Sequence, residues 1–205
     1  YAMRCFKGRI AQKGVVIPNP IRAAVPVSSE KQKKIVTAGR LMPQKNHKAL
    51  IEAFAQVHER FPDRRLVIYG EGYLREALEK QIQSLGLKEF IFLPGNMPNI
   101  HACIADAELF VLSSDYEGFS NAMLEAMMMG LPVVSTDCAG SNEFIKDGEN
   151  GLMVPVGNID AMAKAMIKAL GDGDLRERMG EQGATDCEQF RAERIIKKWS
   201  EVLGG

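Results

Sequence analysis

The sequence has no excess of either charge, because 26 lysines and arginines balance 26 aspartates and glutamates. Nucleic-acid binders carry a basic excess or stripe, so this balance argues against a nucleic-acid partner. The chain also lacks any apolar run near the ~20 residues that a membrane-spanning helix needs, which excludes such a helix within it. Hydrophobic residues form 46% of the chain and charged residues 25%, which is typical of a globular domain.

Closely spaced metal ligands are lacking as well. The four cysteines contain no CxxC pair and the three histidines share no ligand spacing, which argues against structural zinc. Disulfide-linked secreted domains are usually shorter and denser in cysteine, so we expect reduced thiols in a cytoplasmic protein. The first residues contain no apolar signal segment and resemble the interior of a longer chain, so we expect a fragment of a larger protein. The cysteines are Cys5, Cys103, Cys138 and Cys187.

Six short apolar runs alternate with helical patterns such as 47–61 and 74–85. The runs are continuous rather than alternating with polar residues, which is typical of strands covered on both faces. The alternation predicts an α/β fold with a Rossmann-like, doubly wound parallel sheet of about six strands. Right-handed crossovers place all strand ends at one edge, where we expect the ligand. The six runs are residues 35–38, 66–69, 90–93, 109–112, 132–135 and 152–154.

Three further helices are predicted after the last strand, at 159–170, 174–190 and 191–203. The last of them carries an apolar stripe formed by Ile195, Ile196, Trp199 and Leu203. The stripe is wide enough to be buried, either on its own domain or on a neighbouring one.

The loop after the first strand carries Gly39, Arg40 and Lys45 before the next helix begins. A guanidinium offers a planar fork for phosphate oxygens, and an ammonium offers a mobile point charge. Two cations on one strand-end loop of a neutral protein indicate an anionic ligand. Taken alone, the loop favours two solvated surface charges over a ligand site.

The segment after the fourth strand predicts a second half of the site. We expect a helix to begin near 118–120, with Ser120 or Asn121 as its cap. The start of a helix offers free N–H groups and a positive dipole end, which favour an anion. Glu117 and Glu125 lie eight residues apart and can both face the crevice at the strand ends, with solvated glutamates as the alternative.

These residues carry a resemblance to a known family. The segment 117–127, Glu-Gly-Phe-Ser-Asn-Ala-Met-Leu-Glu-Ala-Met, resembles the E-x7-E signature of the retaining glycosyltransferase family 4, where it lies in the C-terminal, donor-binding domain of a GT-B fold. Gly39-Arg40-Leu41 followed by Lys45-Asn46 resembles the Arg…Lys diphosphate pair of that family. Further similarity at 16–20, 70–72, 93–95, 130–134 and 147–152 extends the resemblance over 16–203, although a glycine is more usual where Pro20 stands.

The resemblance implies a role for each of these residues. The predicted catalytic residues are Arg40 and Lys45, which would neutralise the diphosphate leaving group, and Glu117, which would bind donor-sugar hydroxyls. Glu125 would hold the ribose hydroxyls, and Leu124 would contact the ribose or the base. The other predicted donor-binding residues are Gly39, Gly118, Phe119, Ser120, Asn121 and, beside the nucleobase, Gly95, Asn96 and Met97.

The same resemblance implies the partners. A nucleotide-diphosphate sugar would be the donor, a glycan, lipid-linked or small molecule the acceptor, and neither a metal nor pyridoxal phosphate a cofactor. Residues 1–15 would be a linker or the end of an N-terminal acceptor-binding domain, and 16–205 the donor-binding domain. We expect the fragment to be weak or inactive alone, and the full enzyme to be cytoplasmic, with peripheral association at the cytoplasmic membrane face as one option.

Several other interpretations compete with this one. The segment 172–174, Asp-Gly-Asp, matches the DxD metal motif of another glycosyltransferase architecture, but we expect Gly173 to form a turn and Asp174 to cap a helix. Gly70-Glu71-Gly72 resembles a dinucleotide fingerprint without its third glycine. A glycosidase carboxylate pair would give Arg40 and Lys45 no role. A GT-B epimerase or phosphorylase, or a non-catalytic nucleotide-binding module, remains open.

Overall fold

A computed structural model describes residues 15, 17–21 and 30–204. Its centre is a sheet of six parallel strands in the order β3-β2-β1-β4-β5-β6, which confirms the predicted fold class. The strands fall on the six predicted runs: two match at both ends, and the other four are shifted by one or two residues at one or both ends. They are β1 (Lys34–Ala38), β2 (Arg65–Tyr69), β3 (Ile91–Gly95), β4 (Leu109–Leu112), β5 (Val133–Thr136) and β6 (Leu152–Val154).

Helices connect the strands and extend the chain beyond the sheet. They are α1 (His47–Arg60), α2 (Arg75–Ser84), α3 (Ile100–Ile104), α4 (Asn121–Met128), α5 (Ile159–Gly171), α6 (Gly173–Cys187) and α7 (Ala192–Leu203). The predicted helices 47–61 and 74–85 correspond to α1 and α2. Gly86 follows α2 with a φ of 71°, the left-handed conformation that glycine adopts readily after a helix.

Both faces of the sheet are covered, as continuous apolar strands require. Adjacent residues of each strand enter opposite clusters: Ile35 packs with residues of α1, α2 and α5, whereas Val36 packs with residues of α3 and α4. The side chains of Phe54 on α1 and Phe110 on β4 are fully buried in the two clusters. The helices packed on the two faces hold the strands in place, and with them the loops at the strand ends.

The strand order reverses direction between β1 and β4. From β1 the chain builds outward through β2 to β3, and from β4 it builds in the other direction through β5 to β6. The helices that follow β1 and β4 therefore pack on opposite faces of the sheet, and the carboxyl ends of these two strands mark the place where doubly wound sheets bind ligands.

The three predicted C-terminal helices are present as α5, α6 and α7, with a 3₁₀ turn, Glu188–Phe190, before the last. The predicted cap of α6 was wrong by two residues: Asp172, not Asp174, lies at the N-cap, and its Oδ1 accepts a hydrogen bond from the Leu175 N–H at 2.9 Å. None of the helices in the described residues combines the length and low polarity that crossing a bilayer requires.

The apolar stripe of α7 is only partly covered. Ile195 is buried, whereas Ile196, Trp199 and Leu203 are exposed. The sequence left open whether the stripe packs on its own domain or on a neighbouring one, and in the structure only Ile195 packs on its own domain.

Candidate functional site

The loop after β1 is shaped by a 3₁₀ turn, Pro43–Lys45, and by Asn46. Asn46 adopts a φ of 45°, and its Oδ1 accepts a hydrogen bond from the Ala49 N–H at 3.2 Å, which caps α1. A Cβ atom at Gly39 would lie 3.0 Å from Lys45 Cε. The absence of a side chain at Gly39 thus leaves room for the Lys45 stem to fold back over the end of β1.

Hydrogen bonds join this loop to the loop after β4. The Asp115 N–H donates to the Gln44 carbonyl at 2.9 Å, and Asn46 Nδ2 donates to Asp115 Oδ1 at 2.7 Å. Ser113 Oγ donates to the Lys45 carbonyl at 2.8 Å. The two loops that the sequence singled out therefore form one continuous surface at the carboxyl edge of the sheet.

Lys45 and Glu117 meet in this surface. The Lys45 ammonium pairs with Glu117 Oε1, and the two side chains are only 14% and 9% exposed. Ser114 Oγ donates to the same carboxylate oxygen at 2.7 Å, and Thr136 Oγ1 donates to the Ser114 carbonyl at 2.5 Å. The Glu117 carboxylate is thus oriented from two sides before any ligand arrives.

Sequence reasoning placed Lys45 and Glu117 at one site but did not predict that they touch each other. It also missed Ser114 and Thr136, which orient the carboxylate. Their only sequence signal is that small hydroxyl residues lie at the ends of two buried strands, which is too common a pattern to single them out.

Arg40 stands apart from this pairing. Its side chain is exposed, and within the described residues it makes no hydrogen bond or ion pair. It lies at the rim of a cavity of about 350 Å³ that also reaches the predicted nucleobase segment. The lining residues are Ala38, Gly39, Arg40, Tyr69, Gly70, Asn96, Met97 and Ile100.

The predicted nucleobase segment follows β3. Gly95 has a φ of 89°, and its carbonyl accepts a hydrogen bond from the Gly70 N–H at 3.0 Å, which ties the ends of β3 and β2 together. Asn96 and Met97 are exposed beyond this tie. The structure therefore brings Arg40 and the predicted base-binding residues to one cavity.

The start of α4 leaves a buried polar atom without a partner. Ser120 occupies the N-cap position, but the predicted cap was wrong in its chemistry, since neither the Ser120 nor the Asn121 side chain caps the helix. Ser120 is 3% exposed, and within the described residues its Oγ makes no hydrogen bond. Buried hydroxyls normally have partners, so this one, beside free helix N–H groups, is suited to an anionic ligand.

The neighbours of Ser120 divide between surface and core. Gly118 is exposed, and a Cβ atom there would have no neighbour within 4 Å. The Phe119 ring packs edge-on against Phe190 with 5.2 Å between centroids, which anchors the loop from below. Leu124 is fully buried, and its contact with ribose or base stays a prediction.

Glu125 lies on the second turn of α4, facing α3. Its Oε2 atom is 3.2 Å from His101 Nε2, and the two side chains are 22% and 16% exposed. Sequence reasoning predicted Glu125 as a ligand-binding residue but missed His101. A single histidine within a short helix gave no spacing from which this contact could be inferred.

A second histidine lies beneath the site. His47 is 3% exposed, its ring lies beside the backbone of Gly39 and Arg40, and neither ring nitrogen makes a hydrogen bond within the described residues. Burial lowers the pKa of His47 to about 4, and the nearby Lys45 charge acts in the same direction. The imidazole is therefore neutral at physiological pH, and it adds no positive charge to the site.

A larger cavity of about 530 Å³ lies at the opposite, amino edge of the sheet. It is lined by residues that precede β4 and β5, such as Glu108 and Pro132, and by Arg176 of α6. None of the predicted site residues contributes to it. Volume alone therefore does not identify the candidate site, and the convergence of polar groups at the carboxyl edge does.

Comparisons with known proteins agree with the geometry. A family model described as Glycosyl transferases group 1 matches residues 21–186. The chain is 36% identical over 199 residues to an exopolysaccharide phosphotransferase of Streptomyces coelicolor, which covers 96% of this chain and 21% of that protein. It is 35% identical over 170 residues to the lipopolysaccharide core biosynthesis glycosyltransferase LpsE of Rhizobium meliloti, covering 82% of this chain and 49% of that protein.

Among solved structures, the fold is similar to that of TarM of S. aureus in complex with fondaparinux, alpha-GlcNAc-glycerol and UDP. The TM-score is 0.87 at 28% identity, and the match covers 93% of this chain and 39% of that one. The chain thus spans about half or less of the curated relatives and of this structure.

Proposed function

Because the chain belongs to the group 1 glycosyl transferase family, we propose that it is the donor-binding domain of a retaining enzyme of glycosyltransferase family 4. The enzyme would move a sugar from a nucleotide-diphosphate sugar to a glycan, lipid-linked or small-molecule acceptor. The group 1 family confirms the coarser part of the resemblance in the sequence. The retaining outcome and the acceptor belong to the proposal.

The observation that carries this proposal is the junction of the two loops at the strand-order reversal. It places the Arg40 guanidinium and the Ser120 hydroxyl, both without side-chain partners in the part of the chain that the structure describes, at the same edge of the sheet as the start of α4. A diphosphate needs cationic and N–H donors, and these groups supply both. The similarity to a structure crystallised with UDP supports the same ligand class.

The chemistry of transfer assigns a task to each group. Breaking the bond between the anomeric carbon and the phosphate oxygen builds negative charge on the diphosphate. Arg40 and the α4 N–H groups stabilise that charge, as donors aimed at a developing anion do in other enzymes. The acceptor oxygen bonds to the anomeric carbon, and its proton passes to the departing diphosphate.

In this scheme the charge of Lys45 is shared between Glu117 and the diphosphate. Its charge is already balanced by Glu117, so Arg40 contributes the larger part of the uncompensated positive charge. The Glu117 carboxylate, held by Lys45 and Ser114, is positioned to accept hydrogen bonds from donor-sugar hydroxyls. We expect transfer to need no metal and no pyridoxal phosphate, and the full enzyme to act in the cytoplasm or at its membrane face.

Calorimetric titration of the chain with UDP, GDP and ADP tests the donor site. We expect at least one nucleoside diphosphate to bind, and Arg40→Ala to weaken its affinity at least tenfold, because hydrogen bonds to charged groups contribute about 1.5–3 kcal/mol. Arg60→Ala is the matched control, since Arg60 is an exposed cation at the far end of α1. Absence of binding by all three nucleotides would contradict the proposal.

A further inference from the structure

His101 contacts the carboxylate of Glu125, the residue that the proposed function assigns to binding of the ribose. Its Nε2 atom lies 3.2 Å from Glu125 Oε2, and it makes no hydrogen bond of good geometry within the described residues. Both side chains are largely buried but not sealed, at 16% and 22% exposure. At this distance a ring N–H can donate to the carboxylate oxygen once the two groups are aligned.

The helix that carries His101 is held in place from below. The Cys103 carbonyl accepts hydrogen bonds from Tyr69 Oη at 3.1 Å and from Lys34 Nζ at 2.9 Å. Lys34 also pairs with Asp106, which follows the helix. At the other end, Asn99 Oδ1 accepts from the Ala102 N–H at 3.3 Å. The position of α3, and with it that of His101, is thus set by strands β1 and β2 rather than by the ligand.

We propose that His101 is a positioning residue for recognition of the ribose, an inference that rests on the proposed function. The His101 N–H engages Glu125 Oε2 and fixes the plane of the carboxylate. Oε1 is then directed to accept hydrogen bonds from the vicinal ribose hydroxyls. A rotating carboxylate would satisfy one hydroxyl at a time, so the imidazole makes this contact selective for a ribonucleotide over a 2′-deoxyribonucleotide.

The test compares three probes on the whole chain by calorimetry: UDP, 2′-deoxy-UDP and inorganic pyrophosphate. The wild-type chain should prefer UDP to 2′-deoxy-UDP at least tenfold. His101→Leu removes the ring donor and should reduce that preference to about threefold or less. His101→Gln retains an N–H at a similar reach and should restore most of it. Pyrophosphate affinity should stay within twofold of wild type in both variants, because no hydrogen bond or ion pair joins His101 to Arg40 or Ser120 within the described residues.

The outcomes separate this inference from the proposed function. If UDP, GDP and ADP all fail to bind the wild-type chain, the proposed function falls and the inference with it. If the wild-type chain is selective and His101→Leu keeps the same preference, the inference alone is wrong. Equal loss of pyrophosphate and UDP affinity in both variants would also overturn it, since that result indicates a general structural role. If His101→Leu does not fold, a His101→Gln chain that loses the preference counts against the inference.

Discussion

The two edges of the sheet treat their charged groups in opposite ways. At the amino edge, charges are paired with one another: Lys34 with Asp106, and Arg64 with both Asp63 and Glu108. At the carboxyl edge, Arg40 has no side-chain partner and Ser120 Oγ no hydrogen bond within the described residues.

Paired charges at the amino edge stabilise the fold, whereas unpaired groups at the carboxyl edge are available to a ligand. A buried polar group without a partner destabilises the fold unless a ligand supplies one, so the carboxyl edge is built to be completed from outside. The amino edge holds the larger cavity, yet Glu108 and Arg176 in its lining already form ion pairs within the protein. The Arg40 guanidinium and the buried Ser120 hydroxyl, neither of which has a side-chain partner within the described residues, therefore identify the site better than the size of the cavity does.

Lys45 is an exception at the carboxyl edge, because its charge is paired and it also lies close to the proposed ligand. Replacing it should have the largest effect on both stability and nucleotide affinity. In Lys45→Ala, Glu117 loses its counter-ion at 9% exposure. Breaking one partner of a buried pair typically costs 3–5 kcal/mol, so we expect the free energy of unfolding to fall by about 4 kcal/mol in urea denaturation. Nucleoside diphosphate affinity should fall as well.

The matched change at the amino edge is Arg64→Ala, which removes one of the two cations beside Glu108 and leaves Arg176 Nη2 at 4.0 Å from it. Because Arg176 still compensates Glu108 and the Asp63 carboxylate is solvated, the expected loss is smaller, about 2 kcal/mol. Nucleotide affinity should stay within twofold of wild type. If Arg64→Ala weakened the nucleotide as much as Lys45→Ala does, the division between the two edges would be wrong.

His47, which lies beneath the candidate site, makes the stability of the fold depend on pH. Its pKa is lowered to about 4 from the 6.5 expected for the unfolded chain, so between these values the unfolded state binds a proton that the folded state does not. Stability is therefore fully present above pH 6.5 and is lost progressively as the pH falls towards 4, by up to about 3 kcal/mol. Urea denaturation of wild type and of His47→Leu at pH 7 and at pH 4.5 measures this pH-dependent part of the free energy of unfolding. A difference that does not change with pH would contradict it.

Ser120 gives the smallest expected effect on stability. Ser120→Ala removes a hydroxyl that caps nothing, so we expect unfolding to change by less than about 0.5 kcal/mol. Asp172→Ala, at a cap that does make its hydrogen bond, should cost about 1 kcal/mol. UDP affinity should fall about fivefold in Ser120→Ala and stay unchanged in Asp172→Ala. A stability loss at Ser120 equal to that at Asp172 would mean that the hydroxyl has a partner in solution.

The fold was predictable because its signals are local. Six continuous apolar runs with helical patterns between them required a two-faced parallel sheet, and 109–112 and 152–154 match β4 and β6 at both ends. The cap of α6 shifted by two residues because Asp172 and Asp174 are chemically equivalent in sequence, and only the backbone decides between them.

The site was predictable only in outline. The sequence placed Arg40, Lys45, Glu117 and Glu125 at one edge, since every parallel strand ends there. The direct Lys45–Glu117 pair depends on β1 and β4 being neighbours, which no local pattern encodes. His101 was missed for the same reason, because its contact with Glu125 is set by how α3 and α4 pack.

The central claim is that the carboxyl edge, with its unsatisfied groups, binds a nucleoside diphosphate and the larger amino-edge cavity does not. Titration of the isotopically labelled chain with UDP, followed by amide chemical-shift changes in NMR spectra, tests it directly. We predict changes that cluster at 39–46, 95–97 and 117–125. Changes that cluster instead around Glu108, Gly130 and Arg176, or no changes when UDP, GDP and ADP are each added to saturation, would contradict it.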